Sequence, residues 1–163
     1  MSLHSGYHFI YDIRGKPIAL PVETSSNPRA VLRHIKDVPP IFAVWNIEQG
    51  SEPDTYILFN RGSYTSPTDG LVCAVLTEGK PPAEEWVIEP APGYPPDSNK
   101  YMYVDHVIFE PELSVKRQTL ISILTNNRES AWMVAEGKKE AQVESRSSCL
   151  ASVFQILCTP LPG

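Results

Sequence analysis

The sequence is poor in cysteine, which occurs only at Cys73, Cys149 and Cys158 in 163 residues. No paired-cysteine motif and no histidine cluster accompanies them. An odd number of cysteines at such wide spacing argues against the disulfide framework of small secreted domains and against a metal site. Cys73 and Cys158 lie in apolar, strand-like segments, so we expect both to pack as small hydrophobic residues.

Long apolar runs and an excess of basic residues are also absent. The longest apolar runs are residues 41–45 and 71–76, whereas a membrane-spanning helix needs about twenty apolar residues. Acidic residues outnumber basic ones by 19 to 14, and the basic residues are scattered. We therefore expect neither nucleic-acid nor membrane binding. Because the N-terminal residues do not resemble a secretory signal, we expect a cytoplasmic protein, with non-classical release as an alternative.

Proline, in contrast, is abundant. Sixteen prolines are present, where average composition predicts about eight. Because a proline in a helix interior costs about 3 kcal/mol or more, their spread over the first two thirds of the chain excludes a helical bundle. We expect one domain, residues 1–163, of short strands joined by proline-rich turns. A competing interpretation makes residues 129–146 a helix, since they are rich in Ala, Glu and Lys, although Gly137 interrupts them.

An aromatic-x-Ile motif occurs three times, as Trp45-Asn46-Ile47, Trp86-Val87-Ile88 and Phe154-Gln155-Ile156. Each copy follows an earlier strand-like segment by a similar interval, and those segments are residues 7–12, 55–60 and 120–126. Further strand-like runs lie between, which gives about four strands per unit, although the second unit shows only three clearly. In a strand, the aromatic and isoleucine side chains share one face, which we expect to be buried.

A threefold repeat of four-strand units predicts an all-β architecture, the β-trefoil, in which a six-strand barrel is capped by three hairpins. Residues 89–118 do not fit the repeat. Four of their first eight residues are prolines, and a run of residues typical of β-strands follows at residues 101–109. We interpret them as an insertion before the third unit.

No catalytic motif is present. The sequence has no nucleophile elbow, phosphate loop, zinc-protease motif or dinucleotide fingerprint, and the four histidines lack ligand spacing. Glu84 and Glu85 would point to opposite faces of a strand and would not form a carboxylate pair. We therefore expect a protein that is not an enzyme and needs no cofactor. If it binds a partner, the binding residues should lie on its loops.

Three loops carry a basic residue in a setting suited to protease recognition. In the first loop Pro28 restricts Asn27 to extended geometry, and Arg29 suits a specificity pocket with a buried acid. Either Asn27 or Arg29 is a candidate pocket residue. The complete set of candidates is Ser26, Asn27, Pro28, Arg29 and Ala30 in the first loop, Arg146 and Ser147 in the second, and Asn60 and Arg61 in the third.

The segment Pro81-Pro82-Ala83-Glu84-Glu85-Trp86-Val87-Ile88, together with Ala131-Trp132-Met133-Val134 and Val153-Phe154-Gln155-Ile156, resembles the mushroom β-trefoil serine protease inhibitors of the cospin and cnispin type. The resemblance covers nearly the whole chain apart from the insertion. It implies a cytoplasmic fungal inhibitor of trypsin-like serine proteases that needs no cofactor and has a role in defence or in the regulation of proteolysis. We also expect the protein to be a monomer. In that family the inhibitory loop lies either between the second and third strands or between the last two, here residues 25–29 or 145–148.

Two alternatives remain open at this stage. Fungal trefoils also include inhibitors of cysteine proteases and of legumain, for which the loop containing Asn60 and Arg61 is the candidate. A trefoil lectin is the other alternative. Its usual Gln-x-Trp triplet is missing here, since Ala43, Glu84 and Ser152 precede the three repeated aromatics by two residues.

Overall fold

The computed structural model describes residues 3–22, 27–36, 38–76, 84–91, 119–134, 141–147 and 154–158. The first unit contains β1 (Gly6–Asp12), β2 (Ile18–Ala19), β3 (Arg29–Ala30), β4 (Leu32–Arg33), the short helix α1 (Pro40–Ala43) and β5 (Val44–Gln49). The second contains β6 (Thr55–Asn60), β7 (Ser63–Thr68), β8 (Leu71–Val75) and β9 (Trp86–Pro90). The third contains β10 (Thr119–Thr125), β11 (Ser130–Val134), β12 (Ala141–Ser147) and β13 (Phe154–Cys158).

The first and last strands of the three units form a closed barrel. They pair antiparallel in the order β1-β5-β6-β9-β10-β13, and β13 returns to β1. His8 lies opposite Trp45 in the β1–β5 pair, and Ile123 lies opposite Ile88 in the β9–β10 pair. Closure gives each of these six strands a hydrogen-bonded neighbour on both sides, so the barrel is a rigid base for the loops.

Three hairpins complete the architecture. They are formed by β2 with β4, β7 with β8 and β11 with β12, and they join one another where β12 pairs with β4 and β8. The fold is therefore the predicted β-trefoil. The helix considered for residues 129–146 is wrong, because Trp132 and Val134 are buried on the inner face of β11, which pairs with β12. The one helix in the described ranges, α1, is too short to cross a membrane.

The three repeated aromatic side chains meet in the core around Trp132. Trp45, Trp86 and Phe154 are fully buried, and their rings lie 5.9, 5.5 and 6.1 Å from that of Trp132 in edge-on arrangements. Each such pair contributes about 0.5–1.5 kcal/mol beyond the area it buries. The repeat therefore converges on one aromatic cluster, and a residue outside the repeated motif holds its centre.

Strand β7 is the fourth strand of the second unit, which the sequence does not show clearly. Its inward side chains include Ser63 and Thr65, both fully buried, so the usual alternation of apolar and polar residues is missing. Thr65 is buried because its Oγ1 accepts a 2.8 Å hydrogen bond from Trp86 Nε1. A hydrogen-bonded hydroxyl stands at this buried position in place of an apolar side chain. The alternation of apolar and polar residues that would predict a strand is therefore absent from the sequence of β7.

The predicted insertion lies almost entirely outside the described residues. Its first two residues, Glu89 and Pro90, belong to β9, where they lie opposite Ser122 and Ile121 of β10. The departure from the repeat therefore begins no earlier than residue 91.

Candidate functional site

The first candidate loop follows β2 and runs into β3. Its residue Ser26 lies outside the described residues. Asn27 and Pro28 are exposed, whereas Arg29 and Ala30 are half-buried and form β3, opposite Ala74 and Cys73 of β8. Sheet pairing therefore fixes the C-terminal end of this loop.

The Asn27 side chain is bound to the main chain of Leu76. Asn27 Nδ2 donates to the Leu76 carbonyl at 2.9 Å, and the Leu76 N–H donates to Asn27 Oδ1 at 3.2 Å. The Asn27 side-chain amide therefore extends the pairing of β3 with β8 past the N-terminal end of β3. Asn27 is exposed, but both ends of its amide are already used in holding the loop.

The guanidinium groups of Arg29 and Arg61 link the first candidate loop to the third. Arg29 Nη2 donates to the buried Ser63 hydroxyl at 2.5 Å. Arg61 of the third loop contacts the main chain that leads into the first loop, since its Nη1 donates to the carbonyl of Pro21 at 3.1 Å and to that of Val22 at 3.5 Å. The structure therefore brings these two loops together, which the sequence does not predict, since about forty residues separate them.

Contacts with α1 and with the start of β5 fix the turn between β6 and β7. Asn60 is fully buried, and its Nδ2 donates to the carbonyls of Phe42 and Val44 at 3.2 Å each. The Arg61 guanidinium carbon lies 4.7 Å from the centre of the Phe42 ring, a cation–π contact. Asn60 is therefore a structural residue, and Arg61 is held over α1 as well as against the first loop.

The second candidate loop is remote from the other two. Arg146 lies near the end of β12, with 57% of its side chain exposed, and its Nε is 2.7 Å from Glu144 Oε2. The N–H of Ser145 bonds to Gly70, at the opposite end of β8 from the Leu76 main chain that binds Asn27. Gly70 and Leu76 are six residues apart along an extended strand, so the contacts of the second loop and of Asn27 lie about 20 Å apart. Ser147 lies opposite Ser130 of β11.

Glu84 and Glu85 have different surroundings and do not form a carboxylate pair. Glu85 Oε2 accepts hydrogen bonds from the N–H and hydroxyl of Ser51 and from the hydroxyl of Thr55, at 2.8–3.0 Å. These bonds, led by that from the Ser51 N–H, lower the pKa of Glu85, whereas burial raises the pKa of Glu84. Glu85 ties the β5–β6 turn to the start of β9.

Among the described histidines and cysteines, His8, His34 and Cys73 are buried. Burial lowers the pKa of His8, whose Nε2 lies 2.9 Å from the carbonyl of His4, and His34 Nε2 lies 3.3 Å from the carbonyl of Ala19. Cys73 is a free, buried cysteine, and burial raises the pKa of its thiol. Over the described ranges, no three His, Cys, Asp or Glu residues come together as a metal site.

These features define a β-trefoil protein whose barrel and hairpins support loops held by side chains from other units. The sequence profile of the peptidase inhibitor I66 family matches residues 1–106. The chain belongs to this family, and it is therefore an inhibitor and not an enzyme. This confirms the resemblance to fungal trefoil inhibitors. The matched range contains the first and third candidate loops but not Arg146.

Solved structures with the same fold have widely different functions. A proteinase inhibitor from Coprinopsis cinerea is 15% identical and has a TM-score of 0.61, with 97% of this chain and 100% of that chain covered. A ricin B-like lectin from Macrolepiota procera, solved with lactose, is 14% identical and has a TM-score of 0.57, with 96% and 98% covered. A mosquitocidal holotoxin is 13% identical and has a TM-score of 0.66, but only 18% of that chain is covered. No curated protein sequence matches the chain.

Proposed function

We propose that the protein inhibits trypsin-type serine proteases in a substrate-like manner by inserting into the protease active site the loop that follows β2 and includes Arg29 and Ala30 of β3. The observation that carries the proposal is the support at both ends of this segment. Arg61 binds the main chain before it, at Pro21 and Val22, and Asn27 binds the Leu76 main chain near its end. The family profile also includes this segment.

Support at both ends matters because a substrate-like inhibitor must resist being processed as a substrate. A loop already held in its bound conformation loses little conformational entropy on docking. Its newly cleaved ends would also stay in place, which favours religation over release. Each net hydrogen bond contributes about 0.5–1.5 kcal/mol, and those to a charged group about 1.5–3 kcal/mol. The Arg61 and Asn27 contacts therefore hold the described residues at the two ends of the segment, Pro21 with Val22 and Asn27.

Arg29 is the pocket residue that we favour over Asn27. To enter a protease pocket, Arg29 must release Ser63, and Asn27 must release its two bonds to Leu76. These losses are similar, at about 1–3 kcal/mol each. Only Arg29 gains a charge-assisted contact with an acid at the base of the pocket, which is about twice as strong as a neutral hydrogen bond.

The experiment measures trypsin inhibition by Arg29→Ala and Arg29→Lys. If Arg29 occupies the pocket, Arg29→Ala should raise the inhibition constant at least about a hundredfold, while Arg29→Lys, which keeps the charge but loses the two-pronged guanidinium contact, should raise it much less. If Arg29 only supports the loop through Ser63, both variants should weaken inhibition to a similar and smaller extent. Unchanged inhibition by Arg29→Ala would refute the proposed role, provided that thermal melting shows both variants to be folded.

Arg146 is a second candidate because its guanidinium is more accessible. Its ion pair with Glu144 is solvent-exposed, and such pairs contribute only about 0–1 kcal/mol, so Arg146 is easily released into a pocket. Arg146→Ala is therefore measured in the same trypsin assay. Loss of inhibition in Arg146→Ala but not in Arg29→Ala would assign the function to the loop after β12.

Papain and legumain assays test the cysteine-protease alternative. Asn60, the asparagine of that candidate loop, is fully buried and bonded to Phe42 and Val44, so it has no free side chain to present to a legumain pocket. We therefore expect little inhibition of either enzyme.

We further propose that the protein is cytoplasmic and acts as a monomer, binding one protease molecule through one loop. Light scattering coupled to size-exclusion chromatography of the complex should give the mass of one inhibitor plus one protease. A mass corresponding to two inhibitors would contradict the monomer.

A further inference from the structure

A groove of about 370 Å³ lies on the outer face of the barrel, beside the β6–β7 turn. Its walls include Tyr7 of β1 and Phe59 of β6, which lie on either side of Asn46 of β5 in the sheet register. Ile41 of α1 and Arg61 complete the end nearest the turn. The groove thus has two aromatic walls with a shorter amide side chain between them.

The groove is bordered by unusually exposed apolar side chains. Ile41 is 73% exposed and Tyr7 is 49% exposed. Single exposed apolar residues are common on protein surfaces, but here two of them border the same groove, together with Val44 and Phe59. Tyr, Phe and Arg, all present here, are also enriched in the buried centres of protein interfaces.

Arg61 joins this groove to the loop between β2 and β3. The same side chain that lines the groove donates hydrogen bonds to the carbonyls of Pro21 and Val22. Val22 is itself 40% exposed. The groove and the N-terminal end of the loop are therefore parts of one continuous surface.

The size of a stable complex requires contacts beyond the loop. Protease–inhibitor interfaces bury about 800 Å² on each partner and involve about 20–30 residues a side. The segment from Val22 to Arg29 supplies eight residues, so neighbouring surface must also be covered. The groove adjoins the loop and has exposed apolar side chains at its border, which makes it suited to the remaining contact.

We infer that this groove docks an apolar side chain from the surface of the inhibited protease, beside the protease active site. The inference rests on the proposed function, because it takes the β2–β3 loop as the inhibitory one. Glu48 and Arg61 place one charge of each sign at the groove, and Asn46 Nδ2 already donates to Glu48 Oε1 at 2.9 Å. This balance favours an uncharged apolar occupant over a charged one.

The test compares Ile41→Asp with two control variants. Ile41→Leu keeps the apolar surface, and Ile35→Asp adds the same charge at an exposed isoleucine that does not line the groove. The inhibition constant for trypsin and the association and dissociation rates are measured for all three. Ile41→Asp should raise the inhibition constant about tenfold or more, mainly through faster dissociation, and both controls should stay within about threefold of wild type.

The outcomes separate this inference from the proposed function. If wild type inhibits no trypsin-type protease, both are refuted. If Arg29→Ala abolishes inhibition while Ile41→Asp inhibits like wild type, only the groove inference is refuted. A wild-type dimer that Ile41→Asp converts to monomer, or glycan binding that Ile41→Asp abolishes, would assign the groove to another occupant and overturn it. Melting temperatures check folding, and Tyr7→Ala is the second variant if Ile41→Asp is destabilised.

Discussion

Two tryptophan-to-phenylalanine substitutions in the same aromatic cluster should have unequal effects on stability. Both remove the same atoms from fully buried positions. Trp45 Nε1 donates a 2.7 Å hydrogen bond to the buried carbonyl of Ile18, whereas the buried Trp132 Nε1 has no hydrogen-bond partner within the described part of the chain. Trp45→Phe therefore leaves a carbonyl unsatisfied, while Trp132→Phe removes an unsatisfied donor.

The difference follows from the desolvation of these groups. An unsatisfied buried polar group costs about 1–3 kcal/mol, so Trp45→Phe should be more destabilising than Trp132→Phe by at least about 1 kcal/mol. A competing effect is that Trp132 touches three aromatic rings. Phenylalanine keeps an aromatic edge at this position and so retains part of each contact, worth about 0.5–1.5 kcal/mol in full.

Urea unfolding followed by far-ultraviolet circular dichroism gives the free energy of unfolding of both variants and of wild type. The slopes against urea should agree, so that the midpoints report stability directly. If Trp132→Phe proves as destabilising as Trp45→Phe, or more so, the assignment of an unpartnered indole at the centre of the cluster is wrong.

Three further predictions concern the loops. Gly50→Ala should destabilise the protein, because an added Cβ would collide with Thr55 Oγ1 and with Glu85 Oε2. Urea unfolding measures the loss in the free energy of unfolding, and a variant as stable as wild type would contradict this prediction. Because the folded-state pKa of Glu85 is lowered from 4.5, wild type should be more stable than Glu85→Gln near neutral pH and lose that advantage as the pH falls through the lowered pKa. A difference that is constant from about pH 7 to about pH 3 would refute this linkage. Asn27→Ala should speed cleavage of the inhibitor by trypsin, seen by mass spectrometry, because it removes both bonds to Leu76; an unchanged cleavage rate would exclude the supporting role.

The overall fold can be predicted from the sequence because the repeat is carried by large buried residues. Trp45, Trp86 and Phe154 all lie on the inner face of barrel strands, and an aromatic–isoleucine pair with period two is a strong signal. Two elements are missed for a physical reason. In β7 the inward positions are small hydroxyl residues that form hydrogen bonds, and α1 is a single turn that Pro40 begins just before β5.

The partners of the candidate loop residues could not be predicted in the same way. Asn27 bonds to Leu76, and Arg29 bonds to Ser63 on the missed strand β7. These contacts join positions 49 and 34 residues apart, and no periodicity encodes them. The sequence identifies the residue types suited to protease recognition, but the structure is needed to show that Asn27 and Arg29 also hold their own loop in place.

Titration of the intact protein against trypsin, chymotrypsin, subtilisin and papain shows whether it is a substrate-like inhibitor of trypsin-type proteases. We expect stoichiometric inhibition of trypsin with one inhibitor per enzyme, weaker inhibition of chymotrypsin and subtilisin, and none of papain. Inhibition of papain alone, or of none of the four enzymes, would contradict it.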